Sequence, residues 1–210
     1  MKICNLGRLP IRMENNPMYK TCLQILKDPN IDNKETVLYN FKYKAKSLGD
    51  IFKVDGLPVV PYDYVFLPWI HEEPTSKYRD TAFVHFDANE KVNKLKKIIK
   101  SIKANGFIPE KFPDRKGGIT GYTLRMKGVE SLYIVSGNHR SAVLSALGKK
   151  ILFRNDVCQK PREKINVGID YNNFPSIFSG EDVSNWPSVK SGFLKEYQAL
   201  KILNRYLCNE

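Results

Sequence analysis

The chain has 210 residues, of which 42% are hydrophobic and 11% aromatic, and its 34 Lys and Arg against 22 Asp and Glu give a formal charge of +12. This apolar content excludes global disorder, and the four scattered cysteines and three histidines support neither a zinc site nor a disulfide scaffold. Without a secretory signal or the roughly 20 uncharged apolar residues of a membrane span, we expect a cytoplasmic protein. A basic chain attracts phosphates, whether on nucleotides, nucleic acids or membranes.

Helical patterns occupy residues 1–56, which we predict to form a helical N-terminal extension. Apolar residues recur at helical spacing over 18–26, and the polar, Pro-containing stretch 28–30 ends that helix. One or two further short helices are expected over 36–52. Between residues 57 and 70, β-branched and aromatic residues are interrupted by prolines, which predicts extended chain or an edge strand.

A long amphipathic helix is predicted over 89–105, with Gly106 as its C-terminal stop. Its apolar residues form one narrow stripe that consists of Val92, Leu95, Ile98, Ile99 and Ile102. The lysines outside this stripe are Lys94, Lys96, Lys97, Lys100 and Lys103. A solvated outer face is the plainer interpretation of these lysines, and the alternative is a surface that contacts nucleic acid.

Short strands dominate the second half of the chain. We predict them over 107–112, 122–126, 132–135 and 150–153. A Gly-rich turn over 116–118 separates the first two, and a helix over 139–147, ended by Gly148, follows the third. In the tail, a turn at 185–187 precedes an amphipathic helix over 193–207.

The break between strand and helix at Ser136-Gly137-Asn138-His139-Arg140-Ser141 is the most informative segment. A glycine at such a turn lets the backbone approach a ligand closely, and the first N–H groups of a helix bind anions. His139 adds a titratable donor, and Arg140 adds a planar fork that suits phosphate oxygens. The segment therefore indicates a phosphate site. The alternative is a helix-capping His139 beside an Arg140 that pairs with a carboxylate.

This strand, turn and helix resemble the core of the ParB/sulfiredoxin superfamily, whose Gly-x-His/Arg-Arg turn holds nucleotide phosphates. The preceding helix, Gly106 and the strand after it are similar to the family's element upstream of the turn. Asp63-Tyr64-Val65-Phe66 followed by His71-Glu72 resembles the start of the ParB-like free serine kinases, in which the Glu acts on the substrate hydroxyl. The resemblance covers residues 63–153.

The resemblance implies an α+β fold with a small mixed sheet, packed helices and helical extensions at both ends. The implied parts are the N-terminal extension over 1–56, a nucleotide-binding core over 57–155 and a C-terminal extension over 156–210 that ends in an amphipathic helix. The residues implied to surround the phosphates of ATP, ADP or CTP are Gly137, Asn138, His139, Arg140 and Ser141. Mg²⁺ would be held mostly by phosphate oxygens. Glu72 is the candidate general base, and Glu72 and Glu73 together, flanked by His71, would supply the carboxylate that the reaction needs. The alternative for these two residues is an exposed acidic loop.

Two departures from the family bear on the activity. Asn138 stands where sulfiredoxins have a reactive cysteine, so we do not expect sulfinic acid reduction. Ser136 stands where the serine kinases commonly have an acidic residue. Asp87 would replace this acid, although capping the nearby helix is its plainer role.

The function expected from the resemblance is phosphoryl transfer from a nucleotide to a small hydroxyl-bearing metabolite. One alternative is a DNA-binding or nucleotide-switched regulatory module without metabolic catalysis. Another is a scaffold that has kept the fold and lost catalysis, for which Ser136 is the main argument.

Overall fold

The computed structural model describes residues 13–41, 67–73, 87–107, 119–149 and 177–208. The helices are α1 (Pro17–Lys27), α2 (Val37–Asn40), α3 (Ala88–Asn105), α4 (Asn138–Ala146), α5 (Pro187–Lys190) and α6 (Glu196–Cys208). The strands are β1 (Thr120–Met126), β2 (Val129–Ser136) and β3 (Ile177–Ser179), and single 3-10 segments occupy Met13–Asn15, Asn33–Glu35 and Gly180–Asn185. The α+β class predicted from the sequence is confirmed.

The described strands form a mixed sheet in the order β2-β1-β3. β1 and β2 are antiparallel, and the hairpin turns at Lys127 and Gly128, whose φ angles are 50° and 77°. Positive φ at both central residues is what a type I′ turn requires, and it matches the twist of the strands. β3 pairs in parallel with β1, so that Ile177 lies opposite Thr123.

One hydrophobic core lies on the sheet and is covered by α6. Trp69 is at its centre, with ring centroids of Tyr206, Trp186 and Tyr122 at 5.4, 5.6 and 6.5 Å. The indole Nε1 of Trp69 donates to the hydroxyl of Tyr122 at 2.9 Å, so this buried polar group is satisfied. Phe178, Trp186 and Tyr206 of the tail are therefore core residues, whereas Tyr197 is exposed. Residues 177–208 supply β3 and the helix that covers the sheet.

A second core is made by four helices. α3 contributes Val92, Leu95 and Ile99, and it packs with α1, α2 and α4. The predicted apolar stripe of this helix is confirmed as its buried side, because Ile98 and Ile102 also pack against the cluster. Gly106 ends α3 with φ 75°, a left-handed conformation that favours glycine. The β2-to-α4 connection therefore joins the sheet core to the helical core.

Most predicted elements within the described residues are confirmed, with shifted ends. They are the helices over 18–26, 89–105 and 139–147 and the strands over 122–126 and 132–135. The expectation of extended chain at 57–70 is wrong in its described part, because Leu67–Ile70 is a turn. The C-terminal helix begins at Glu196, three residues later than predicted.

Several predictions fall outside the described residues. They concern 42–52, most of 57–70 and 107–112, the turn at 116–118, the strand over 150–153 and the boundaries of the three predicted parts. These stay predictions. None of the helices in the described ranges is long and apolar enough to cross a lipid bilayer.

Candidate functional site

β2 passes into α4 through the single residue Gly137, whose φ of 81° and ψ of 19° are left-handed. Residues with a β-carbon rarely adopt this conformation, so glycine permits the sharp exit from the strand. Gly137 is the N-cap of α4, and no side chain caps the first helical turn. The N–H groups that open a helix have no partner within the helix, so the start of α4 carries a partial positive charge.

Residues 137 to 141 form a turn that we call the 137–141 turn. Ser141 stabilises this turn through two hydrogen bonds. Its hydroxyl donates to the carbonyl oxygen of Asn138 at 2.9 Å, and its backbone N–H donates to the carbonyl oxygen of Gly137 at the same distance. The side chain is only 1% exposed. Of the five predicted phosphate residues, Ser141 therefore has a side chain committed to the turn itself.

His139 is the most perturbed titratable group of the 137–141 turn. Burial, reinforced by the charges of Lys94, Lys91 and Arg140, lowers the pKa of its imidazole to about 4. Its Nε2 atom is buried and has no hydrogen-bond partner among the described residues. The side chain is thus a neutral imidazole at neutral pH, with an unused ring nitrogen in a positive environment.

Arg140 is the permanent cation of the 137–141 turn. It is partly buried, and this burial lowers the pKa of its guanidinium. The guanidinium stays protonated at neutral pH because the ordinary pKa of an arginine side chain lies far above 7. A partly desolvated guanidinium interacts with anions more strongly than one surrounded by water.

Lys91 and Lys94 come from α3, which packs beside α4. Both act electrostatically on His139, Lys94 more strongly than Lys91. Neither lysine has a salt-bridge partner within the described part of the chain. Sequence reasoning assigned Lys94 to a solvated face and gave Lys91 no role at this turn. The available signal was their three-residue spacing, which places them on one side of the helix.

His71 closes the turn in which it lies. The backbone N–H groups of Ile70 and His71 both donate to the carbonyl oxygen of Leu67 at 2.9 Å, and the N–H of Leu67 donates to Nδ1 of His71 at 3.1 Å. The His71 side chain is buried, whereas Glu72 and Glu73 are exposed. The structure therefore gives His71 a role in holding the segment that presents the two carboxylates.

The C-terminal segment anchors this Glu72-bearing turn. Ser188 donates twice to the carbonyl oxygen of Pro68, from its backbone N–H at 3.3 Å and from its hydroxyl at 2.9 Å. The hydroxyl of Ser191 has two carbonyl oxygens as acceptors, that of Glu72 at 3.1 Å and that of Ser188 at 3.2 Å. Glu72 is thus held through its backbone, which leaves the carboxylate exposed to solvent.

The two halves of the predicted site connect through the aromatic core. Trp69 packs on Tyr122, whose ring stacks on Tyr133 at 5.0 Å, four residues before Gly137 along β2. Within the segments that the structure describes, no hydrogen bond or ion pair joins the carboxylate of Glu72 to the 137–141 turn.

Asp87 caps a helix, which is the plainer of the two roles predicted for it. It is the N-cap of α3, and its carboxylate accepts from the backbone N–H of Glu90 at 3.1 Å. Across the described ranges, no group of three or more His, Cys, Asp or Glu residues is placed to hold a metal ion.

No family model, curated protein or solved structure matches the chain. The resemblance to the ParB/sulfiredoxin superfamily therefore rests on the residues quoted above and stays a prediction.

Proposed function

We propose that the 137–141 turn binds the phosphate groups of a nucleotide. The observation that carries the proposal is the meeting of an uncapped helix N-terminus, opened by Gly137, with the side chains of His139 and Arg140. Helix N-termini attract anions through their N–H groups and their dipole, and a guanidinium adds two parallel donors to phosphate oxygens. ATP, ADP and CTP are the candidate ligands.

The buried imidazole of His139 suits this role as a neutral hydrogen-bonding group. Its unpartnered Nε2 would donate to a phosphate oxygen in the tautomer that carries the proton there. A buried polar atom without a partner costs free energy, so a ligand that supplies the partner recovers this cost on binding.

We further propose that the bound nucleotide donates a phosphoryl group to a small hydroxyl-bearing acceptor, with Glu72 as the general base. The acceptor oxygen would form a bond to the terminal phosphorus of the nucleotide while the bond from that phosphorus to its bridging oxygen breaks. The nucleotide shortened by one phosphate would leave, and the hydroxyl proton would pass to the Glu72 carboxylate. Mg²⁺ would neutralise charge on the phosphates. Support comes from the exposure of this carboxylate on a turn whose backbone is fixed by Ser188 and Ser191.

Nucleic-acid binding is a second candidate function. It is favoured by the exposed outer side of α3, where Lys97, Lys100 and Lys103 have no salt-bridge partner among the described residues. Lys96 is engaged differently, since its Nζ donates to the carbonyl oxygen of Ile31 at 2.7 Å. Salt-sensitive duplex binding that weakens when Lys97 and Lys100 are neutralised would support this function.

Thermal unfolding in the presence of ATP, ADP or CTP, with and without Mg²⁺, tests nucleotide binding. A ligand at about 100 times its Kd adds about 2.7 kcal/mol to the folded state, which for a chain of this length raises Tm by roughly 5–10 °C. We expect such a rise for the wild type and its loss in Arg140→Ala.

Arg125→Ala is the matched control for this experiment. Arg125 pairs with Glu130 beside the hairpin turn, at the other end of β1 and β2 from Gly137. It removes the same charge away from the proposed site, so its nucleotide response should equal that of the wild type. A wild type that responds to no nucleotide, or an Arg140→Ala variant that responds fully, would contradict the proposal.

A further inference from the structure

We infer that Asn105, the last residue of α3, is a site of deamidation, and that local opening of the last helical turn sets the rate of this modification. Asn105 precedes Gly106, and this is the only Asn-Gly pair in the sequence. The inference goes beyond the proposed function and does not depend on it, because the reaction needs no ligand. The modification converts a neutral amide into a carboxylate, so it adds a negative charge to a lysine-rich helix.

The reaction uses only the chain itself and water. The backbone nitrogen of Gly106 loses its proton and forms a bond to Cγ of Asn105, while the bond from Cγ to the amide nitrogen breaks and the nitrogen leaves as ammonia. Water then adds to one of the two carbonyl carbons of the resulting succinimide and opens the ring to Asp or isoAsp. Glycine at the attacking position favours the ring closure, because it has no β-carbon to hinder it.

Two hydrogen bonds hold the reacting groups while the last turn of α3 is closed. The backbone N–H of Gly106 donates to the carbonyl oxygen of Ile102 at 2.9 Å. The side-chain amide of Asn105 donates to the carbonyl oxygen of Ser101 at 3.2 Å. The nitrogen that must attack and the amide that must be attacked are therefore both engaged, so the closed turn slows the reaction.

The exposure of the last turn makes its opening easy. Residues 103–106 are all exposed, whereas Ile99 is the last buried residue of α3 and Ile102 is only partly buried. Helix ends open at a small free-energy cost where they bury little apolar surface and where water can replace their hydrogen bonds. No described atom lies within 4 Å of the position that a β-carbon of Gly106 would occupy, so the opened turn has room to close the ring.

The product destabilises the last turn but not the helical core. A carboxylate at the C-terminus of a helix opposes the helix dipole. IsoAsp also adds a methylene to the backbone, which displaces the N–H of Gly106 from the carbonyl oxygen of Ile102. The buried residues Val92, Leu95 and Ile99 lie upstream of the modified position, so their packing persists. The modified protein is therefore a folded chain with a shortened α3.

Incubation of the full chain at mildly alkaline pH, followed by tryptic digestion, tests the inference. Mass spectrometry of the peptide 104–111 measures Asp and isoAsp at position 105, and the same protein unfolded in urea gives the unprotected rate. Because the last turn opens locally, we expect the folded chain to react about 10–100-fold more slowly than the unfolded chain. A reaction that required global unfolding would be slower by at least about 1,000-fold.

Ala104→Gly tests whether the last turn controls the rate. Glycine at an exposed helical position favours opening by a factor of about 5 relative to alanine, so the folded variant should deamidate about 5-fold faster than the wild type. Its rate in urea should not change, because no helix remains there. Ala88→Gly is the matched control, since it makes the same substitution in the first turn of α3. Its rate in the folded state should stay within about 2-fold of the wild type.

The results either support local opening of the last turn or overturn it. Asp and isoAsp at position 105 of the folded chain, formed faster in Ala104→Gly and not in Ala88→Gly, support the inference. A folded chain that reacts more than about 1,000-fold more slowly than the unfolded chain overturns it, because the site would then need global unfolding. Equal rates in the folded and unfolded chains, or equal responses to the two glycine substitutions, overturn the control by the last turn. None of these outcomes bears on nucleotide binding at the 137–141 turn.

Discussion

His139 is a base that folding keeps uncharged. Its imidazole lies where α3 and α4 meet, and the charged groups that act on it are Lys91 and Lys94 from α3 and Arg140 from its own helix. Burial, together with these charges, lowers its pKa from 6.5 to about 4. A polyanion bound at the same place would oppose this effect, because a negative charge favours the imidazolium form.

The depressed pKa of His139 predicts a pH dependence of stability. Between pH 6.5 and about 4 the unfolded chain binds a proton at this residue and the folded chain does not. The free energy of unfolding should therefore rise with pH through this window, by about 3 kcal/mol from this group, and level off above it.

Urea unfolding of the wild type and of His139→Gln at several pH values between 4 and 8 measures this contribution. Between pH 4 and 6.5 the free energy of unfolding should rise less steeply with pH in His139→Gln than in the wild type, because the variant lacks the group that titrates. Parallel curves for the two proteins would show that His139 is not the buried base.

Single side chains could be located from the sequence but their roles could not all be assigned. Gly137 and Arg140 lie at a strand-to-helix turn as predicted, because strand, glycine and helix are local signals. The role of His71 in closing its turn depends on a hydrogen bond from Leu67. Trp69, in the same turn, is buried against Trp186 and Tyr206, which lie far along the chain. The approach of Lys91 and Lys94 to His139 likewise depends on how two helices pack.

The helices were easier to predict than the strands. A stripe of apolar residues every three or four positions identifies α3, and Gly106 shows where it ends. β3 has three residues and pairs in parallel with β1, which lies more than 50 positions earlier in the chain. No local sequence pattern therefore predicts this strand. The Lys127-Gly128 turn was missed because the second strand was predicted to begin only at Leu132.

The contact between α5 (Pro187–Lys190) and the Glu72-bearing turn predicts a stability difference between two serines. Ser188 is fully buried, and its hydroxyl supplies one of two hydrogen bonds to the carbonyl oxygen of Pro68. Ser188→Ala removes that bond from a buried site and should cost about 1 kcal/mol, a fall in Tm of roughly 2–4 °C. Thermal unfolding followed by circular dichroism measures it.

Ser191→Ala is the control, because Ser191 is exposed and water can replace its hydrogen bond to Glu72. Its Tm should stay within about 1 °C of the wild type. If both alanine variants have the same Tm, the buried bond to Pro68 adds nothing to the attachment of this turn.

The molecule as a whole places the proposed base and the proposed phosphate site on different cores. Glu72 belongs to a turn that is built into the aromatic core by Trp69 and held by the C-terminal segment. The 137–141 turn begins at the end of β2 in that core and continues into a helix of the other core. Catalysis at their junction would therefore depend on both cores, whereas phosphate binding would depend on the helical core and the turn alone.

This division predicts that binding and turnover can be separated by one substitution. Glu72→Gln keeps the size and the backbone anchor of the residue but removes the carboxylate that would take the acceptor's proton. We expect acceptor-dependent consumption of nucleotide to fall by roughly 10²–10⁴-fold, the usual contribution of a general base, while the rise in Tm with nucleotide persists. Glu73→Gln, at the exposed neighbouring position, should keep both properties. Unchanged turnover in Glu72→Gln would remove Glu72 as the base and leave nucleotide binding intact, whereas loss of the Tm response would mean that Glu72 contributes to the phosphate site itself.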